Sequence, residues 1–279
     1  MGEYPAGYID QYVETALERG ATEVGFTEHM YRCYESESVL GRWWEEDPNP
    51  VLAGELAEIV RTERNLSLER YVEVVVDAKD RGLPVKLGLE VDFQPGTEQR
   101  TLELLAPYPF DYLIGSVHWV GAWWPDRKRG MEEYERIGDR AAYEKYFAAE
   151  TALAESGLVD VLAHVDFVKR AGGRPYHPPV DLYDKVIQAA AASGTAVEVS
   201  SAGLRQPIQE IYPAPLLLEM FQQADVAITL ASDAHRPQDT ALALDEVIAA
   251  ARAAGYTHHL RFDARKRIYV PLPEISPGS

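Results

Sequence analysis

The stretch FDYLIGSVH (Phe110–His118) decides the fold. Its centre is apolar or small, and TEQRTLELLAPY (residues 97–108) before it reads as a short helix. A helix feeding a mostly apolar run without strict alternation indicates a strand covered on both faces. The run then finishes on His118, a side chain that an ordinary strand-to-turn junction does not require.

Working outward, the same cycle recurs along the chain. Residues 8–19 place Tyr8, Tyr12, Val13, Ala16 and Leu17 at helical spacing, Gly20 stops the run, and TEVGFT (22–27) follows as a strand. A helical region over 51–81 closes at Gly82 before PVKLGLE (84–90), and residues 131–156 are helical up to Gly157 before LVDVLAH (158–164). PPVDLYDKVIQAAAAS (178–193) stops at Gly194 before TAVEVS (195–200), and PAPLLLEMFQQA (213–224) precedes DVAITLAS (225–232). TALALDEVIAAARAA (240–254) ends at Gly255 before HHLRF (258–262). Strands fed by helices predict an α/β architecture with the sheet under helices. Neither GxGxxG nor GxxxxGK[ST] occurs, so the common nucleotide-binding variants have no support. The aromatic, irregular segments 31–50 and 121–130 read as loops that could overhang a site.

With 27 basic against 45 acidic residues, the net charge is -18. Such a surface repels phosphate backbones and anionic lipid, so neither nucleic acid nor membrane is an expected partner. A small phosphorylated substrate stays compatible, because metal ions or arginines reverse the field inside a cleft. Cys33 is the only cysteine, which excludes an intrachain disulfide and thiolate zinc sites. No stretch reaches the roughly 18 apolar residues of a membrane span, and the opening MGEYPAGYIDQYV carries no basic patch followed by an apolar run. The expected location is the cytoplasm.

The strand ends carry the chemistry. GFTEH ends in His29, LGLE in Glu90, IGSVH in His118 and VLAH in His164, while ITLASDAH supplies Asp233 and His235. Five strands thus deliver six candidate ligands, including four of the seven histidines. A single strand-end histidine is most simply a hydrogen-bonded structural residue. Five such ends on one face of a parallel barrel predict a shared polynuclear metal centre. Imidazole with carboxylate and no thiolate suits Zn, Mn or Fe, and a pair of such ions activates water while neutralising a phosphoryl group. His177, in a proline-bound loop, and His258 and His259, at a strand start, are read as structural or solvent-facing. Arg205, just past the strand ending VEVS, is either a solvated charge or a phosphate clamp whose planar fork suits phosphate oxygens. Lys169 and Arg170, shortly after His164, offer a weaker version of that role. Trp43, Trp44, Trp123 and Trp124 either pack loops down or wall a ring-bearing substrate.

The stretches GFTEH (25–29), LGLEVDFQPG (87–96), YPFDYLIGSVHW (108–119), AHVDFVK (163–169), VEVSSAGLRQP (197–207), YPAP (212–215) and ASDAHRP (231–237) together resemble the polymerase and histidinol phosphatase (PHP) superfamily, in its histidinol-phosphatase branch. The resemblance implies an irregular (β/α)7 TIM-like barrel over residues 1–279 as a single domain, with two or three divalent ions. It implies Glu90 bridging two ions, His118 and His164 completing one shell, Asp233 on the neighbouring ion, and His29 with His235 at the third. Arg205 matches the phosphate-receiving arginine, with Asp233 or His235 assisting the leaving alkoxide as acid. The implied reaction is hydrolysis of L-histidinol phosphate to L-histidinol and inorganic phosphate. The departure is at the front, where family members begin with a strand carrying Asp-x-His-x-His and a further histidine; here Tyr4 stands near that histidine's place, and the first strand is expected to be missing. Either the start lies too far downstream, or the chain is a degenerate member. Hydrolysis of another small phosphomonoester, a metal-dependent amidohydrolase activity and a non-catalytic metal- or phosphate-binding role are the competing readings.

Overall fold

The computed structural model describes residues 4–275. Six parallel strands lie side by side in chain order: β1 (Val24–His29), β2 (Val85–Asp92), β3 (Tyr112–Ser116), β4 (Val161–Leu162), β5 (Ala196–Ser200) and β6 (Ile228–Ala231). Helix α1 (Tyr8–Glu18) precedes β1, and α2 (Glu37–Leu40), α3 (Pro50–Glu63) and α4 (Leu68–Asp80) lead to β2. The later strands are preceded by α5 (Glu98–Leu105), the pair α6 (Lys128–Ile137) and α7 (Asp139–Ser156), α8 (Val180–Ser193) and α9 (Pro215–Gln223). Helix α10 (Leu244–Ala253) then leads to the hairpin β7 (His258–Asp263) and β8 (Lys266–Pro271).

Two helical regions divide where the sequence reading kept them whole. Asn49 accepts bonds from the Val51 and Leu52 N–H groups to start α3, and Ser67 accepts from Arg70 N–H to start α4, so residues 51–81 form two capped helices. Gly138, at φ 80°, separates α6 from α7 within 131–156. At Gly157 and Gly194 the left-handed cap expected after a helix is present, with φ 61° and 75°.

HHLRF forms β7 but does not join the parallel sheet. Ala264 and Arg265, both at positive φ, reverse the chain so that β8 pairs antiparallel with β7 and satisfies its backbone. The hairpin instead sits across the N-terminal ends of the barrel strands. Lys86 binds Asp263 at 2.7 Å, Arg265 binds Asp160 at 2.7 Å, and the Phe262 ring stacks on Tyr112 at 5.5 Å.

Strand alternation sorts the two faces of the sheet. On β2, Leu87, Leu89 and Val91 are fully buried under the helices, whereas Gly88, Glu90 and Asp92 turn to the barrel interior. Tyr112 fills that interior beneath the site, and it requires glycine beside it: a Cβ at Gly25 would lie 2.0 Å from the Tyr112 hydroxyl, and one at Gly88 would lie 2.8 Å from the ring. Among the described residues β1 pairs only with β2, and β6 only with β5. The curled sheet is therefore a half-barrel of the irregular β/α type lacking the strand that would join β6 to β1. A cavity of about 590 Å³ runs through that opening, from Glu90, His164 and Asp233 down to Lys86 and His259.

Candidate metal centre

Parallel pairing brings all six strand C-termini to one end, and the register sets who meets whom. His29 stands directly opposite Glu90, and Asp92 opposite Ser116, two residues before His118. His164 follows the short β4 at φ 27°, a sparsely populated conformation for a residue with a side chain, and Asp233 follows β6 at φ 48°. Such backbone strain, worth about 1–3 kcal/mol each, is kept where the surroundings force it.

Glu90, 4% exposed, is the hub. Its Oε2 lies 3.0 Å from His29 Nδ1, and its Oε1 lies 3.2 Å from His164 Nε2 and 3.5 Å from His118 Nε2. The His29 contact is close but out of line for a hydrogen bond, leaving Nδ1 buried without a bonded partner. Glu90, His118 and His164 each offer a donor atom, all within 4.8 Å of one another. His235, exposed, brings its Nε2 to 3.4 Å from His29 Nε2.

Two carboxylates escaped the sequence reading. Asp92, 1% exposed, places Oδ1 2.7 Å from His118 Nδ1 and accepts the Tyr31 N–H on Oδ2 at 2.8 Å. Asp92 also groups with His29 and His118 by distance. The 2.7 Å contact is that of an N–H···O bond, so Asp92 orients His118 and leaves Nε2 free toward Glu90, as carboxylates behind metal-bound histidines do. Glu198, on β5, accepts the His164 backbone N–H at 3.1 Å. The signal for Asp92 was in the sequence: Glu90-Val91-Asp92 on one strand puts both carboxylates on one face. For Glu198 no strand-end rule applied, because it lies in mid-strand.

The electrostatics describe a site arranged for positive charge. Burial pushes the Glu90 carboxyl up, but the charges of the His29 and His118 imidazoles, with the His164 contact, outweigh it and hold Glu90 well below the usual carboxylate range. Burial pulls the His29 and His164 imidazoles down, yet Glu90 and the surrounding carboxylates lift them to about 10 and about 9. Burial carries Glu198 to about 7, with Asp233 adding to the rise. The same surroundings that favour the imidazolium forms would favour a metal cation, which competes with protons for these ligands.

The remaining sequence candidates divide. Asp233 lines the same cavity, with Oδ1 3.6 Å from His235 Nδ1, but lies outside both close donor groups. Arg205 reaches across to β6: one terminal nitrogen donates to the Ser232 and Asp233 carbonyls at 2.6 and 2.9 Å, and the other is buried without a partner. Lys169 is differently placed from its expected phosphate role. It is 2% exposed, and its ammonium is taken up by Asp166, Glu210 and the Ile211 carbonyl at 2.6–2.8 Å, so it ties the loop after β4 to the loop before α9. Arg170 pairs with Asp126. His177 is exposed, and His258 and His259 sit on β7 at the opposite end of the barrel. Trp44, Trp123 and Trp124 are buried and pack loops, Trp124 stacking on His118 at 5.5 Å; half-buried Trp43 stacks on Trp119 at 4.6 Å.

This donor set fits a divalent cation. Nitrogen and oxygen donors converge, an imidazole nitrogen is buried without a bonded partner, and a carboxylate is held ionised at the centre. Zn, Mn or Fe suits such ligands.

A parallel β/α half-barrel with histidines and carboxylates gathered at its strand ends defines a class, and the chain belongs to it: it is a member of the PHP domain family, whose sequence model matches residues 5–202. Its relatives place it in the histidinol-phosphatase branch. It is 31% identical over 252 residues to a protein of Deinococcus radiodurans named "Probable histidinol-phosphatase", covering 90% of this chain and 89% of that one. It is 23% identical over 214 residues to the histidinol-phosphatase of Lactococcus lactis, covering 72% and 78%. In fold it is similar to the crystal structure of histidinol phosphate phosphatase from Lactococcus lactis complexed with zinc, L-histidinol and phosphate, at TM-score 0.67 and 20% identity over 96% of this chain and 94% of that one. No helix among the described residues is long and apolar enough to cross a membrane.

Proposed function

We propose that the protein is a metal-dependent phosphomonoesterase that hydrolyses L-histidinol phosphate to L-histidinol and inorganic phosphate. The observation that carries this reading is the convergence of His29, His118 and His164 on the buried Glu90. The names of the relatives supply the substrate. When bound, divalent cations supply Lewis acidity toward the phosphoryl oxygens and make water acidic enough to act as a nucleophile near neutrality. Glu90, His118 and His164 would hold one ion, and His29 and His235 would offer further imidazole nitrogens beside it. Asp92 keeps His118 in the tautomer that ligates. Arg205, anchored on the Ser232 and Asp233 carbonyls just past β6, would turn its free nitrogen to a phosphoryl oxygen. Asp233, which lines the same cavity, would offer a carboxylate oxygen to a cation there, and His235, exposed at the rim, is placed to donate a proton to the departing alkoxide.

The test is a turnover comparison of L-histidinol phosphate with sugar phosphates and nucleotides, together with the bound-ion content of wild type and H118A. Preference for histidinol phosphate and a loss of both turnover and bound ion in H118A are expected. Unchanged turnover and unchanged ion content in H118A would sink the assignment.

A further inference from the structure

Behind His164, on the ring edge away from Glu90, lies a group of buried polar atoms that the reaction does not use. Glu150, on α7, has no exposed surface. Its Oε1 accepts the Tyr146 hydroxyl at 2.7 Å, and its Oε2 has no protein partner. His164 Nδ1, Asp166 Oδ1 and the Tyr212 hydroxyl are likewise buried and unpartnered. Packing and charge link these groups. The Tyr212 ring centroid is 6.3 Å from that of His164, Asp166 binds the Ala214 N–H at 2.8 Å beside Tyr212, and α7 packs on the 167–169 turn that follows Asp166. His164 and Asp166 are the charged groups that act on Glu150, and Asp166 and Tyr212 both act on Tyr146.

Buried polar atoms nearly always have partners, and these four have none in the protein. An imidazole N–H, two carboxyl oxygens and a phenol offer one small molecule the two to four bonds that a buried water makes. Metal-bound histidines commonly donate the nitrogen away from the ion to a carboxylate or a water, which fixes the ring's tautomer. His118 has Asp92 for this purpose. His164 has no direct equivalent.

We propose that Glu150 is a positioning residue for His164, acting through an ordered water shared with Asp166 and Tyr212, which holds the ring as the Nδ1–H tautomer with Nε2 turned to Glu90 and the cation. This rests on the reading of His164 as a ligand. An aliphatic side chain would suit the packing of α7 better than an acid, and the acid is retained at a cost: burial lifts its carboxyl to about 8. Near neutrality it is mostly the protonated acid, the form that glutamine imitates.

The experiment measures divalent-ion affinity by chelator competition, and the ¹⁵N resonances of His164 in zinc-loaded protein, for wild type, E150Q, E150L, Y146F and H164A. Wild type is expected to show a protected Nδ1–H on His164. E150Q is expected to stay within about twofold of wild type, whereas E150L weakens the ion by about 10–100-fold, the usual range for groups behind a ligand, and mixes the tautomers of His164. Y146F, which frees Glu150 Oε1, loosens the His164 resonance without unfolding α7. Absence of a protected Nδ1–H in wild type overturns the proposal whether or not E150L folds, and so does an equal loss in E150Q and E150L. Wild-type affinity and an unchanged His164 resonance in folded E150L overturn it as well. Unchanged ion binding in H164A instead overturns the ligand reading beneath it.

Discussion

Replacing Asp92 with asparagine separates orientation of a ligand from packing with almost no change of shape. Asp92 presents two oxygens to two N–H donors, Oδ1 to His118 Nδ1 at 2.7 Å and Oδ2 to Tyr31 N–H at 2.8 Å. Asparagine has one oxygen and one amide nitrogen, so one donor loses its acceptor. The backbone N–H of Tyr31 cannot change its nature, but imidazole can: it moves its proton to Nε2, the atom that faces Glu90 at 3.5 Å. A cation at that position then meets a proton in place of a lone pair. A buried donor left unsatisfied costs about 1–3 kcal/mol, and at about 1.4 kcal/mol per decade the cation should bind about 10–100-fold more weakly. Ser116 Oγ, 3.1 Å from the same imidazole nitrogen, is the fallback acceptor, so D92N with S116A should fall further than D92N alone. Chelator competition gives the affinity, and ¹⁵N spectra of the zinc-loaded protein give the His118 tautomer. Wild-type affinity in D92N with Nδ1 still protonated would refute the argument.

Arg205→Lys keeps the charge but cannot hold both β6 carbonyls and still extend a free nitrogen, so KM for the phosphomonoester should rise about tenfold, the equivalent of one lost charged hydrogen bond; an unchanged KM argues against the clamp. Saturating divalent ion at about 100 times Kd adds about 2.7 kcal/mol, which in a chain of this size raises Tm by about 5 °C; scans with ion and with chelator that superimpose would count against the metal centre. Burial lifts the folded Glu150 carboxyl to about 8 from a usual 4.5, so between those values only the folded state holds the proton, and stability falls as pH rises through that window. E150Q removes this dependence and should be the more stable protein at pH 8, by up to about 1.4 kcal/mol for each unit removed; parallel urea midpoints for the two proteins at pH 5 and pH 8 would contradict it. Gly88→Ala puts a methyl 2.7 Å from Thr27 Cγ2 and 2.8 Å from the Tyr112 ring, and should cost about 1–3 kcal/mol in the urea midpoint; a neutral result would mean that Tyr112 moves freely in the interior.

The alternation of helices and strands, and the identity of the side chains at the strand ends, could be read from the residues alone. Both are local: helical spacing, glycine caps such as Gly157 and Gly194, and apolar runs are written within a few residues of each other. His29, Glu90, His118 and His164 were legible because parallel strands carry their last residues to a common end. Helix breaks at Ser67 and Gly138 were present in the residues but weaker than the periodicity around them. Distances across strands came with the folded chain, because register and curl set them. It put His29 opposite Glu90 and let Asp92 reach His118. It left Asp233 outside both close donor groups, and it gave the Lys169 ammonium to Asp166 and Glu210. It also turned HHLRF from a barrel strand into a hairpin beneath the barrel, since a strand's partner is chosen by the chain that reaches its edge and not by its own composition.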